Sequence, residues 1–188
     1  MRRGQRGATT IEMTFVGIPL IFLLISTFEI SRGMWIYNTA ATAVREGVRF
    51  ASVHGVNCVL VGGIPNQCDV LANDIVRVIR AGDGNGSNHS LNYGPTGAGA
   101  AGLSEANTIV TLTSASGSIT CTLDGQQATG GCNSQWPPTN DNGVKQIITI
   151  TIRTPFTSAI SMFWPGSTPV RNFATVNLWA SSSDTVQF

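Results

Sequence analysis

Charge is what this chain has least of. Only 11% of its 188 residues are charged and the formal net charge is +1, so no basic field exists to hold nucleic acid, and none is expected as a partner. The two histidines, His54 and His89, stand without a second ligand at metal spacing, so neither a metal nor a cofactor is expected. Catalytic signatures are missing as well: no Gly-x-Ser-x-Gly occurs and no cluster of acids follows the N-terminal segment. A calcium-loop reading of the stretch from Asp83 fails, because Asn88 stands where the turn glycine belongs and Gly94 where the final glutamate belongs. An enzyme is therefore not expected. Four cysteines are few, but they are even in number and follow an export-type start, which implies an oxidising compartment and two disulfides.

The start of the chain holds the strongest signal. Arg2, Arg3 and Arg6 form a basic leader ending at Gly7; Glu12 follows alone, and Met13 to Phe28 contains no charge. As a helix that block spans roughly 24 Å, and roughly 31 Å counted from Ala8, close to the thickness of a bilayer core. The basic leader predicts a cytoplasmic N-terminus and an extracytoplasmic remainder. Glu12 is the anomaly, since a carboxylate within hydrocarbon costs on the order of 2.5–3.5 kcal/mol and needs a partner. A cut after Gly7 would supply one: the new Ala8 ammonium of one subunit could neutralise Glu12 of the next. The plainer reading places Glu12 in the headgroup layer, in a first helical turn favoured by the helix dipole. Pro19 cannot donate to the Phe15 carbonyl, so the helix should kink around Gly17 to Pro19.

Gly7-Ala8 with Glu12 at the fifth position after the cut resembles the class III signal of type IV pilins and pseudopilins. The continuation IEMTFVGIPLIFLLISTFEISRGMWIYNTAATAVREGVRFA resembles the TadE-like proteins of tight-adherence (Flp) pilus assembly: a Glu, an apolar run with a proline, a second Glu before an Arg-Gly pair, then a stretch like AVREGVRFA. The resemblance runs from Arg6 to Ala51. It implies a pseudopilin-like protein of the bacterial inner membrane, single-pass, cut by a prepilin peptidase and partnered by other pilins, pilus assembly proteins and membrane lipid. Met13 departs from the pattern, because many such signals carry an aromatic or larger apolar residue there.

Beyond the membrane the helix should run on to about Val53, with Ile36, Ala40, Ala43, Gly47, Phe50 and Ala51 recurring on one face. That stripe suits packing on the chain's own domain, and Trp35 and Tyr37 suit an outer aromatic belt. Glu46 and Arg49 are spaced for an i,i+3 pair. Cys58 and Cys68 bracket one turn-rich loop and Cys121 and Cys132 another, so local pairing is expected among the three possible connectivities. An amphipathic helix is predicted over Asp69 to Ala81, and strands over Thr108 to Thr113, Ser118 to Leu123, Ile147 to Ile152 and Phe173 to Ala180. Segments 82–102 and 124–145 read as mobile polar loops, and 155–169, rich in aromatics, as a connection that caps the core or meets a partner or the membrane.

The expected fold is α+β: leader 1–7, transmembrane and stalk helix 8–53, and an extracytoplasmic domain 54–188 with a second helix and an antiparallel sheet packed on the stalk. The expected function is assembly of a tight-adherence pilus. An uncleaved, signal-anchored binding module is the alternative, and an exported enzyme a third reading.

Overall fold

The computed structural model describes residues 6–54, 70–81, 103, 105–125, 127–129, 131–158 and 175–187, with side chains left aside at 6–10, 81, 127–129 and 175. Helix α1, Arg6–Val53, is a single span of 48 residues that passes through Pro19. Its first half is bare: Phe15, Leu23 and Phe28 are all more than half exposed. Ser26 and Thr27 donate to the Phe22 and Leu23 carbonyls at 2.8 and 2.9 Å, so neither hydroxyl is left unpaired toward an apolar surround. The span is long and apolar enough to cross a membrane.

The second half of α1 is a packing element. Ala40, Ala43, Val44, Val48 and Ala51 are buried, with Ile36 and Phe50 against them, which is the predicted stripe. At Gly47 the approach is closest: a Cβ there would lie 2.5 Å from Ile79 Cγ1. After Val53 the chain leaves the helix at His54, whose Nδ1–H donates to the Phe50 carbonyl at 2.6 Å while its ring lies on Phe50.

Helix α2, Ala72–Ala81, is shorter than the predicted Asp69 start. The reason lies 60 residues downstream. Ala72 and Asn73 donate their N–H groups to the Ser134 and Cys132 carbonyls, and Trp136 donates to the Val70 carbonyl, so the chain before α2 is held extended against segment 132–136. Leu71, counted on the helix's apolar face, instead bridges Gln135 and is partly exposed. Asp74 caps the first turn by accepting from the Leu71 N–H. Ile75, Val76, Val78 and Ile79 are buried.

Five antiparallel strands form one sheet: β1 Ile109–Ser114, β2 Gly117–Thr122, β3 Gln127–Thr129, β4 Ile147–Thr157 and β5 Thr175–Thr185, in the order β3-β2-β1-β4-β5. The architecture is α+β. Period-2 alternation sends Val110, Leu112, Ile148, Ile150 and Ile152 inward, with Val110 opposite Ile152 and Leu112 opposite Ile150. Both helices cover that face.

Two strands outrun their predictions. β4 continues past Ile152 through Pro155 and Phe156, residues assigned to a connection on the sequence. β1 partners β4 only as far as Arg153, so Pro155 lies where one side of β4 has no strand to receive an N–H. β5 continues through Ser181, Ser182 and Ser183, which have little strand preference of their own; full pairing with β4 and the Thr151–Ser181 hydroxyl bond at 3.0 Å hold them.

Segment 124–145, expected as a mobile loop, contains β3 and the fully buried Trp136. Three anchors order it. Cys121 and Cys132 are disulfide-bonded with Cα atoms 5.8 Å apart. Segment 132–136 carries the backbone bonds to α2. Asp141 accepts from the Ser116 N–H at 2.6 Å and from the Ser116 hydroxyl, fixing the β1–β2 turn. Hydrogen bonds from the Ser116 and Ser114 hydroxyls and the Ser116 N–H hold the Asp141 carboxyl below its ordinary pKa. Cys58 with Cys68, segment 82–102, and 159–169 lie outside the described residues.

Candidate functional site

Two carboxylates bracket the uncharged block of α1. Glu12 stands at its start, exposed, with no ion pair among the described residues. Glu29 follows Phe28 directly, and about 26 Å of ideal helix separates the two. That distance nearly equals a hydrocarbon core of about 30 Å, so with Glu29 at one boundary, Glu12 lies just inside the other.

Glu29 is not exposed. Its side chain is only 7% accessible, and Arg32, one turn on, brings Nη1 to 3.6 Å from Oε1. Arg32 then reaches the sheet: Nη2 donates to the Thr157 carbonyl at 2.8 Å, and the guanidinium lies 4.9 Å from the centre of the Phe156 ring. Gly33 completes the contact, since its missing side chain leaves the Phe156 ring 3.7 Å from where a Cβ would stand. Thr157 and Thr175 form the last β4–β5 pair among the described residues, so Arg32 ties this end of the sheet to α1 one turn beyond the apolar block.

The sequence marked Glu29 and the Arg-Gly pair only as part of a family pattern. Their partners, Phe156 and Thr157, lie about a hundred and twenty-five residues away and had been assigned to a connection. A better reading was available: an i,i+3 Glu-Arg pair directly after an apolar span has to be neutralised locally or covered. Glu46 and Arg49 share that spacing, and both line a cleft between α1 and β5 together with Arg45 and Asp184.

A groove of about 490 Å³ opens beside the clamp. Its walls are Glu29, Ile30, Gly33, Met34 and Tyr37 from α1 and Phe156, Val176 and Leu178 from β4 and β5, and they present almost no polar surface. Oε2 of Glu29 is buried and has no hydrogen-bond partner among the described residues.

Most of the long helix, its two carboxylates and the small-residue face as far as Val48 fall within one match. Residues 7–49 match the family model of TadE-like proteins. No curated protein and no solved structure matches the chain. The TadE-like stretch is therefore α1 almost entire, from the Gly7 junction to the last turn beneath α2, and the Glu-x-x-Arg-Gly within it is the clamp to the sheet.

Arg32→Ala should cost about 2 kcal/mol of domain stability, less than the 3–5 of a wholly buried pair because the Arg32 side chain is 39% exposed. Arg32→Lys should recover only part of that, because lysine keeps the charge and loses the planar contact with Phe156. Guanidinium titration of the full chain in detergent, followed by tryptophan fluorescence, measures both. Equal midpoints for the wild type and Arg32→Ala would remove the clamp from the account.

Proposed function

We propose that this chain is a pseudopilin-like, membrane-anchored protein that acts, without catalysis of its own, in assembling a tight-adherence pilus. The observation that carries the proposal is the TadE-like match lying on a helix whose membrane-length half is bare and holds one unpaired acid, Glu12. Such a surface suits a lateral helical neighbour better than a simple anchor, which gains nothing from a carboxylate in that position. The leader Arg2, Arg3 and Arg6 stays in the cytoplasm and the sheet faces outward, by the positive-inside rule. A prepilin peptidase cuts between Gly7 and Ala8, and other pilins and assembly proteins then meet the freed helix end. The groove and the sheet remain outside the bilayer as the part that distinguishes this subunit from a bare pilin helix.

The test is the mature N-terminus. In cells with an active prepilin peptidase, intact-mass spectrometry should find a chain beginning at Ala8, and Gly7→Leu should leave the full precursor in the inner membrane. A mature protein that retains Met1 or Arg2 would refute processing and favour an uncleaved anchored module.

A further inference from the structure

We infer that the groove at the membrane exit receives Phe28 of a second copy of this chain standing beside the first; the inference rests on the pseudopilin reading, which frees the Ala8 ammonium. Both sides of the contact lie on α1. At about 100° per residue Glu12 and Ile30 point the same way, and Met34 and Tyr37 fall within about 40° of them. The acid and the groove therefore open on one flank. Phe28, two residues before Ile30 and about 160° away from it, points to the opposite flank, where it is 68% exposed. A neighbour of the same orientation that approaches the groove flank of one copy turns its Phe28 toward that copy.

Height decides whether the ring meets the groove. Glu12 is exposed, and its counter-charge is the neighbour's Ala8 ammonium; setting the two side by side lifts the neighbour by four residues, about 6 Å along the axis. Phe28 of the neighbour then stands level with Arg32, because Ala8 to Phe28 and Glu12 to Arg32 are both twenty residues. That is the middle of the groove, whose α1 wall runs from Glu29 to Tyr37. The lift carries the ring past the end of the apolar block, where hydrocarbon no longer covers it, and the groove meets it with Tyr37, Phe156, Val176 and Leu178 and almost no polar surface. No other apolar side chain of the neighbour competes at that height: its Ile30 lines its own groove, and its Glu29 and Arg32 are held in its own clamp. Charge at Glu12 sets the height, and the ring fills the site.

Photo-crosslinking in cells that process and assemble the protein reads this contact. With benzoylphenylalanine at Met34, an exposed position on the groove wall, and two differently tagged copies of the full chain, irradiation should give a dimer that carries both tags. Its linked peptide should map within one turn of Phe28. Phe28→Ala, at an exposed helix position, should lower the dimer about tenfold, the loss expected of one aromatic anchor. Val176→Trp, on the facing wall, narrows the groove while leaving Phe28 in place and should lower it as well. Intact mass on the same cells separates this contact from the processing step. If the mature chain begins at Ala8 and pili form, a link from Met34 to lipid, to a different protein or to a part of the second copy more than a turn from Phe28 overturns the groove contact and leaves the pseudopilin reading standing. A dimer undiminished by both Phe28→Ala and Val176→Trp does the same. A mature chain that keeps Met1 removes both, since the height is counted from Ala8.

Discussion

Glu12→Gln should insert into the membrane as well as the wild type, fold the same domain, and fail to support surface pili. The substitution keeps the side chain's size and removes its charge, so the insertion cost of a carboxylate, on the order of 2.5–3.5 kcal/mol, disappears. What disappears with it is the only negative charge within the block's first turns, which under the proposed function is the counter-charge for the Ala8 ammonium of a neighbour. The expected result is normal protein level and normal membrane fractionation, with loss of co-purifying pilins and of visible pili. Glu12→Asp should restore assembly partly, because the shorter arm reaches the same ammonium less well. Wild-type piliation in the Glu12→Gln strain would leave the pseudopilin reading without its mechanism and make the anchored binding module the better account.

Gly47→Leu should be the most damaging change in the domain itself. In a helix interior, replacing glycine ordinarily stabilises by up to about 1 kcal/mol. Here the Cβ alone would stand 2.5 Å from Ile79 Cγ1 and 2.8 Å from Cδ1, with Ile150 at 3.7 Å behind. Ile79 and Ile150 are both fully buried, so neither has space to withdraw into. The added side chain must force α2 off α1, and the loss should reach or exceed the roughly 1–3 kcal/mol of an overpacked core. Gly47→Ala should also be destabilising, against its helix propensity. A double-mutant cycle with Ile79→Ala checks the cause: if the clash is real, Gly47→Ala should be much better tolerated in the Ile79→Ala background than in the wild type. Additive effects would mean that the closeness of the two helices is not what makes alanine costly.

Much of this architecture was legible because two simple periods carried it. The apolar block, then Ala40, Ala43, Gly47 and Ala51 at helical spacing, marked both halves of α1, and alternating isoleucines marked the centre of β4. What was not legible depended on partners far away in the chain. Ser181 to Ser183 became strand because β4 was there to pair with, and Pro155 did not end β4 because β1 had already stopped beside it. The start of α2 was set by carbonyls at Cys132 and Ser134, in a segment whose polar composition concealed the anchor Trp136. The clamp at Arg32 was half visible. Its acid lay three residues away, but its aromatic and its carbonyl came from the tip of the sheet.

The unbroken course of α1 has a consequence for how such molecules stand beside one another. A helix advances about 100° per residue, so the seventeen steps from Glu12 to Glu29 leave their directions roughly a quarter-turn apart around the axis. Because Arg32 fixes the sheet to the same rod, the compass bearing of the sheet is tied to the bearing of Glu12. A neighbour drawn to Glu12 therefore arrives on the bearing of Ile30, eighteen residues and five full turns further on, which is one wall of the groove. Lateral neighbours would share one azimuth, each presenting its sheet in the same orientation along the row.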